Sequence, residues 1–159
     1  MGTQYVMKRG WTEFLEANKK AMLEQWLDCA LALFPEKMGY STPIAMVFSG
    51  ALEKILSSLG KRESDCREAL DDVTRILAVQ NFPPSKALSI FLEPKLILRD
   101  IMMKTTVADT LMQEVFNSRL DALTLEAFDS YMQHREKIYQ LKVEEGSRRM
   151  YMALRRAEA

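Results

Sequence analysis

The side chains that could carry chemistry are few. The sequence has one histidine, His134, and two cysteines, Cys29 and Cys66. A nucleophilic enzyme needs a thiol or hydroxyl activated by a neighbouring base, and no spacing places either cysteine beside His134. One histidine without Cys-rich spacing excludes most zinc and iron–sulfur sites. Helical di-iron centres use Glu-x-x-His pairs, but here Tyr131-Met132-Gln133 precedes His134, so the first ligand is missing. The six glycines are scattered singly and form no phosphate-cradling loop. Asp71, Asp72, Asp121 and Asp129 read as helix caps or solvated faces. The expectation is a chain with no catalytic residue, no metal and no resident cofactor, and therefore not an enzyme. His134 has two readings: a packed residue with one ring nitrogen hydrogen-bonded, or a candidate axial ligand for haem. The second needs an apolar pocket, for which Trp26, Phe48, Phe91 and Phe128 are the candidate lining.

Composition sets the frame for those few groups. The 159 residues amount to 18.3 kDa, the size of one domain. They are 48% hydrophobic and 28% charged, a globular balance. Twenty-two basic residues against twenty-two acidic ones leave no net charge. That argues against a nucleic-acid partner, whose phosphates reward a basic excess. Two cysteines cannot build a disulfide scaffold. The N-terminus has no apolar export segment, and no run is long and apolar enough to span a bilayer. A reducing cytoplasm is the expected location.

The chain reads as successive helices. Trp11 to Phe34 carries Trp11, Phe14, Leu15, Met22, Trp26, Cys29, Ala30 and Leu33 at helical steps, with Thr12 as N-cap and Pro35 as stop. Residues 35–42 form a loop, and Thr42-Pro43 starts a second helix that ends at Gly60. Ser64 and Asp65 can cap a third helix, whose stripe is Leu70, Val73, Ile76, Leu77 and Val79. After Asn81-Phe82-Pro83-Pro84, Ser85 opens a fourth helix with Ala87, Leu88, Phe91, Leu92, Leu96, Ile97 and Ile101 inward. Pro94 falls inside it, which predicts a bend near residues 90–94. From Val107 to about Glu145 no Pro or Gly occurs, and Phe116, Leu120, Leu123, Ala127, Tyr131, His134, Ile138 and Leu141 alternate at three- and four-residue steps. This is the longest element, long enough to overhang its domain and pair with something. Gly146 either ends it or loosens it. The tail 147–159 interleaves Arg148, Arg149, Arg155 and Arg156 with Met150, Tyr151, Met152 and Leu154, a basic amphipathic pattern. The predicted class is all-α, a single-domain helical bundle with one long C-terminal helix; an up-down and a globin-like arrangement both remain open. The expected division is a lead at 1–10, a helical domain at 11–146 and the basic extension at 147–159.

Two stretches resemble a known family. The run Ile76-Leu77-Ala78-Val79-Gln80-Asn81-Phe82-Pro83-Pro84-Ser85-Lys86-Ala87, with Lys95 and Arg99 beyond it, is similar to a motif of the RsbRD N-terminal domain family. There an Ala-Val-Gln precedes an aromatic, a Pro-Ser pair and an alanine, and a lysine follows one helical stretch later. The second stretch joins Arg119-Leu120-Asp121, Ala127-Phe128-Asp129-Ser130-Tyr131 and Arg135-Glu136-Lys137-Ile138-Tyr139. It resembles the family's closing pattern of an aspartate, a Phe-Asp-x-Tyr and an Arg-Glu-Lys. Trp26 and Thr42-Pro43 fit as well, and the resemblance runs from Trp11 to about Arg149. Pro94 and Ser89-Ile90 depart from it.

The family-motif positions are Gln80, Phe82, Pro84, Ser85, Lys95, Asp121, Phe128, Asp129, Tyr131, Arg135 and Glu136. The resemblance implies a sensory or regulatory module without catalytic residues. In the RsbR-type stressosome proteins such a module is a helical, dimeric turret followed by a STAS domain, and this sequence is expected to lack that output domain. The resemblance thus implies a homodimer and a second regulatory protein as partner. The alternative is a small-molecule or haem-binding sensor with an internal apolar pocket.

Overall fold

The structure is a computed structural model that describes residues 2–60, 65–105 and 109–159, with side chains from residue 10 onward. Helix α1 spans Gly2–Leu31, α2 Pro43–Gly60, α3 Arg67–Val79, α4 Pro84–Leu88, α5 Glu93–Thr105 and α6 Thr110–Glu158. A single 3₁₀ turn, Ser89–Phe91, joins α4 to α5. There is no strand among the described residues, so the chain is an all-α single-domain bundle.

Each helix buries the stripe that its apolar spacing dictates. Helix α1 contributes Trp11, Met22, Trp26 and Ala30; α2 contributes Phe48, Leu52 and Ile55; α3 contributes Leu70, Val73 and Leu77. Helix α6 closes the core with Phe116, Leu120, Leu123, Ala127 and Tyr131. The most extensive contact is α3 against α6, with α2 packed between α1 and α3, and α5 against α1. The Trp26 indole N–H donates to the Ile90 carbonyl at 2.7 Å, satisfying a buried donor and pinning α1 to the 3₁₀ turn. Helix α2 begins as its Thr-Pro start predicts: Thr42 Oγ1 accepts from the Ala45 N–H at 3.3 Å.

Several expectations need correction. Helix α1 starts well before Thr12, which lies inside it, and ends at Leu31 with only turns out to Phe34. The proposed Ser64 cap and the Val107 start of the long helix lie outside the described residues. Asp65 does accept a bond at the entry of α3, from the Arg67 N–H at 3.0 Å. The predicted fourth helix is two helices, because a proline is tolerated only where no intrahelical N–H is needed. The chain breaks at the 3₁₀ turn and restarts at Glu93, which places Pro94 in the first turn of α5. The break re-registers the inward face: Ile90 and Leu98 are buried, while Leu92 and Leu96 are 51% and 43% exposed. Ser85 caps nothing; Pro83 is the residue before α4, and the Ala87 N–H bonds its carbonyl at 3.1 Å. Finally, α6 runs 49 residues without interruption. Gly146 lies within it, where an added Cβ would meet nothing within 4 Å.

Candidate functional site

The sequence-predicted residues gather along α6 and at the ends of its neighbours. Arg135 reaches across to the end of α3, where Nη1 donates to the Ala78 carbonyl at 2.9 Å. Its second nitrogen donates to the Tyr139 hydroxyl at 2.7 Å, and the guanidinium lies 5.0 Å from the centre of that ring. The last carbonyls of a helix have no partner within it, so a charged donor there is a C-terminal cap. The two family-like stretches therefore meet: Ala78-Val79-Gln80 is held by an arginine of the second stretch. Arg119 does the same for α2, donating from Nη1 to the Leu59 carbonyl at 2.9 Å. Lys95 and Asp121 also come together, 2.7 Å apart between α5 and α6. Both are substantially exposed, so this ion pair contributes at most about 1 kcal/mol.

The remaining motif positions are spread out. Gln80 ends α3, and its side chain reaches only a long 3.5 Å bond to the Ile76 carbonyl. Phe82 packs edge-on against Phe34 at 5.5 Å, with the Lys86 ammonium 5.0 Å from its ring. Pro84, Ser85, Asp129 and Glu136 are exposed. Tyr131 is fully buried, and its hydroxyl has no hydrogen-bond partner among the described residues. Phe128 is 47% exposed, whereas Trp26, Phe48 and Phe91 lie in the core at 0–1% exposure. Those four rings therefore do not line one pocket. An apolar cleft between α1, α2 and α6, lined by Leu15, Met22, Leu56 and Phe116, encloses about 40 Å³. That is far below the several hundred Å³ a haem or similar ligand fills.

His134 belongs to a polar cluster between α3 and α6. Its Nε2 lies 2.7 Å from Asp71 Oδ1, and the side chain is 14% exposed. The carboxylate accepts, so Nε2 carries the proton. The Thr74 and Ser130 hydroxyls lie 2.7 Å apart, with the Leu70 carbonyl 3.0 Å from Thr74 Oγ1 and Asp71 Oδ1 3.4 Å from Ser130 Oγ as further acceptors for their protons. Asp71 is thus the acceptor that fixes the histidine ring and not a simple solvated face. An axial role for His134 through Nε2 requires this bond to break. Asp71, Thr74 and Arg119 escaped the sequence reading as partners. The available signal was His134 itself, a polar ring on a buried stripe that must find an acceptor on whichever helix it packs against.

Cys29 is a poor nucleophile by position as well as by spacing. Cys29 lies 3.6 Å from the Glu93 carboxylate. Burial, reinforced by that carboxylate, pushes its thiol pKa above the ordinary 9.0, so the thiolate is disfavoured near neutral pH. No group of three or more His, Cys, Asp or Glu side chains among the described residues could hold a metal ion. No helix among them is long and apolar enough to cross a membrane.

The other notable feature of α6 is its projecting part. Every residue from 139 to 159 is exposed, so about 30 Å of helix projects past the bundle at 1.5 Å per residue. Two further apolar patches lie on α6 away from the core, with the exposed Asp129 and Glu136 between them. Beside the domain the patch uses Leu111, Val115, Ala122 and Leu125, and on the projecting part Tyr139, Val143 and Met150, with Leu154 at its edge.

The family model described as RsbT co-antagonist protein rsbRD N-terminal domain matches residues 20–145. An uncharacterised protein of Archaeoglobus fulgidus is 31% identical over 133 residues, covering 80% of this chain and 84% of the relative. No solved structure matches the chain. The chain belongs to the RsbT co-antagonist rsbRD N-terminal domain family.

Proposed function

We propose that this member of a stressosome-related signalling family is a non-enzymatic sensory or regulatory module of the cytoplasm, acting through dimerisation and partner binding. The observation that carries the reading is α6. One helix of 49 residues completes the core with one stripe and leaves two apolar patches in solvent on its other side, Leu111 to Leu125 beside the domain and Tyr139 to Met150 on the projection, separated by Asp129 and Glu136. Exposed apolar patches of this kind mark interaction sites. Two copies meeting along Leu111, Val115, Ala122 and Leu125 bury the domain-level patch, which ends before Asp129. The projecting part then extends beyond the paired domains. A signal that shifts α3 against α6 reaches the projection directly, because the projection continues α6 and Arg135 ties α3 to that helix at Ala78.

The reading predicts a colourless protein of twice 18.3 kDa when the chain is purified from cells supplied with haem. Light scattering and an absorbance scan on one sample measure both properties. A monomeric mass removes the dimer. A haem absorption band that disappears in His134→Ala replaces the regulatory reading with a haem sensor.

A further inference from the structure

The projecting part of α6 has a charge pattern that specifies its occupant. In heptad terms its inward layers are Tyr139, Val143, Gly146, Met150, Ala153 and Ala157, at alternating four- and three-residue steps. Along one flank of that stripe stand Arg135, Lys142, Arg149 and Arg156, each seven residues from the next. The opposite flank, Gln140, Ser147 and Leu154, carries no charge. Glu145 bonds Arg149 from within the helix, but Arg149 remains 79% exposed and no acidic row faces the basic one.

We infer that this surface docks an amphipathic helix of another protein, with acidic residues along one flank and large aliphatic residues in its seam. The inference rests on the reading of the chain as a partner-binding module and names the chemistry of the partner. Two arguments disfavour a second copy at this place. A parallel, in-register pair sets Gly146 against Gly146, Ala153 against Ala153 and Ala157 against Ala157, leaving voids that identical small residues cannot fill. Its basic flanks face the uncharged ones, so the charge goes unanswered, and an antiparallel pair sets basic row against basic row. A foreign helix solves both problems, with Leu or Ile over the small residues and Asp or Glu opposite Lys142, Arg149 and Arg156. An anionic membrane is a poorer match. Glu136 borders the apolar face, and Glu144, Glu145 and Glu158 lie on the projection, whereas surface-bound helices carry a uniformly basic polar side.

The test uses the full chain and a labelled synthetic helix of about four heptads, with Leu in the seam and Glu at both flanks. A second probe replaces every Glu with Lys. The Glu probe binds, the Lys probe binds at least about tenfold more weakly, and raising the salt concentration weakens the Glu complex. The variant Lys142→Glu/Arg149→Glu/Arg156→Glu loses at least about tenfold in affinity for the Glu probe and gains affinity for the Lys probe. All three positions are exposed, and an unchanged circular dichroism melt verifies that the variant folds. Equal binding of both probes, binding of neither, binding to phosphatidylglycerol vesicles in place of the Glu probe, or self-association abolished by Met150→Glu each overturns the inference. Light scattering on the same samples keeps the two readings apart. A dimer that ignores both probes removes only the acidic-helix partner, and a monomer that binds the Glu probe removes only the dimer.

Discussion

The two halves of α6 obey the same helical period but have different sources of stability. Between Phe116 and Tyr131 the inward residues are buried against α2 and α3, so tertiary packing holds the helix in place. Beyond Ile138 there is nothing to pack on. The projection depends on continuity with the first half, on helix-favouring residues and on i,i+4 pairs such as Glu145–Arg149. The comparison teaches that an apolar stripe alone does not identify a core. Leu120 is completely buried and Leu141 is 64% exposed, yet both lie on the stripe read from the sequence. What separates them is the length of the helices available to cover α6.

The largest effect that probes this contrast is a cavity. Leu120→Ala should lower unfolding stability by about 2–5 kcal/mol, whereas Leu141→Ala or Val143→Ala should change it by less than about 0.5 kcal/mol, as read from denaturant midpoints. Comparable losses at all three sites would erase the distinction. Next in size is Arg135→Ala, which leaves the Ala78 carbonyl at the end of α3 without its cap. The expected loss is about 1–3 kcal/mol, against a few tenths for Arg149→Ala in the projection. Tyr131→Phe runs in the opposite direction. Its buried hydroxyl has no partner among the described residues, so removing it should raise stability by up to about 1 kcal/mol; a marked loss would reveal a partner.

Gly146→Ala sharpens the picture of the projection. Nothing obstructs a Cβ there, and the exchange should add about 0.5–1 kcal/mol of local helix stability. That gain should slow amide exchange around residue 146 and leave the core melting transition unmoved. The smallest effect concerns Cys29. Because its folded pKa is raised, the protonated thiol is the form the fold favours. The associated stability is complete below about pH 9 and is lost as pH rises past the unfolded value of 9.0 toward the folded one. Alkylation of Cys29 in the folded chain should therefore reach half-maximal rate above pH 9.0. Glu93→Gln should bring that midpoint only part of the way down, since burial is the larger cause.

Much of the fold was legible because apolar period and proline placement are local signals. Thr42-Pro43 starts α2 as the residues dictate, the helix assigned to Ser85 begins one residue earlier at Pro84 without its cap, and Pro94 marks a break in the helical pattern. The form of that break was not legible. Whether a chain bends through a proline or restarts before it depends on what Ile90 and Leu98 find to pack against. The candidate site was legible in its residues and less so in its pairings. Lys95 with Asp121, Arg135 with Ala78 and His134 with Asp71 join positions 26, 57 and 63 residues apart, and no periodicity encodes such distances. Phe128 shows the converse: an aromatic on a helix reads as a pocket lining, yet it is 47% exposed and apart from the core aromatics.

Amide hydrogen exchange along α6 in the isolated chain addresses the central claim directly. The account predicts that amides from Phe116 to Tyr131 exchange only through global unfolding, while those from Leu141 to Leu154 exchange orders of magnitude faster until a partner helix covers them. Uniform protection along all 49 residues of the helix without a partner would show that the projection is already packed, and would contradict the division of α6 into a structural half and a docking half.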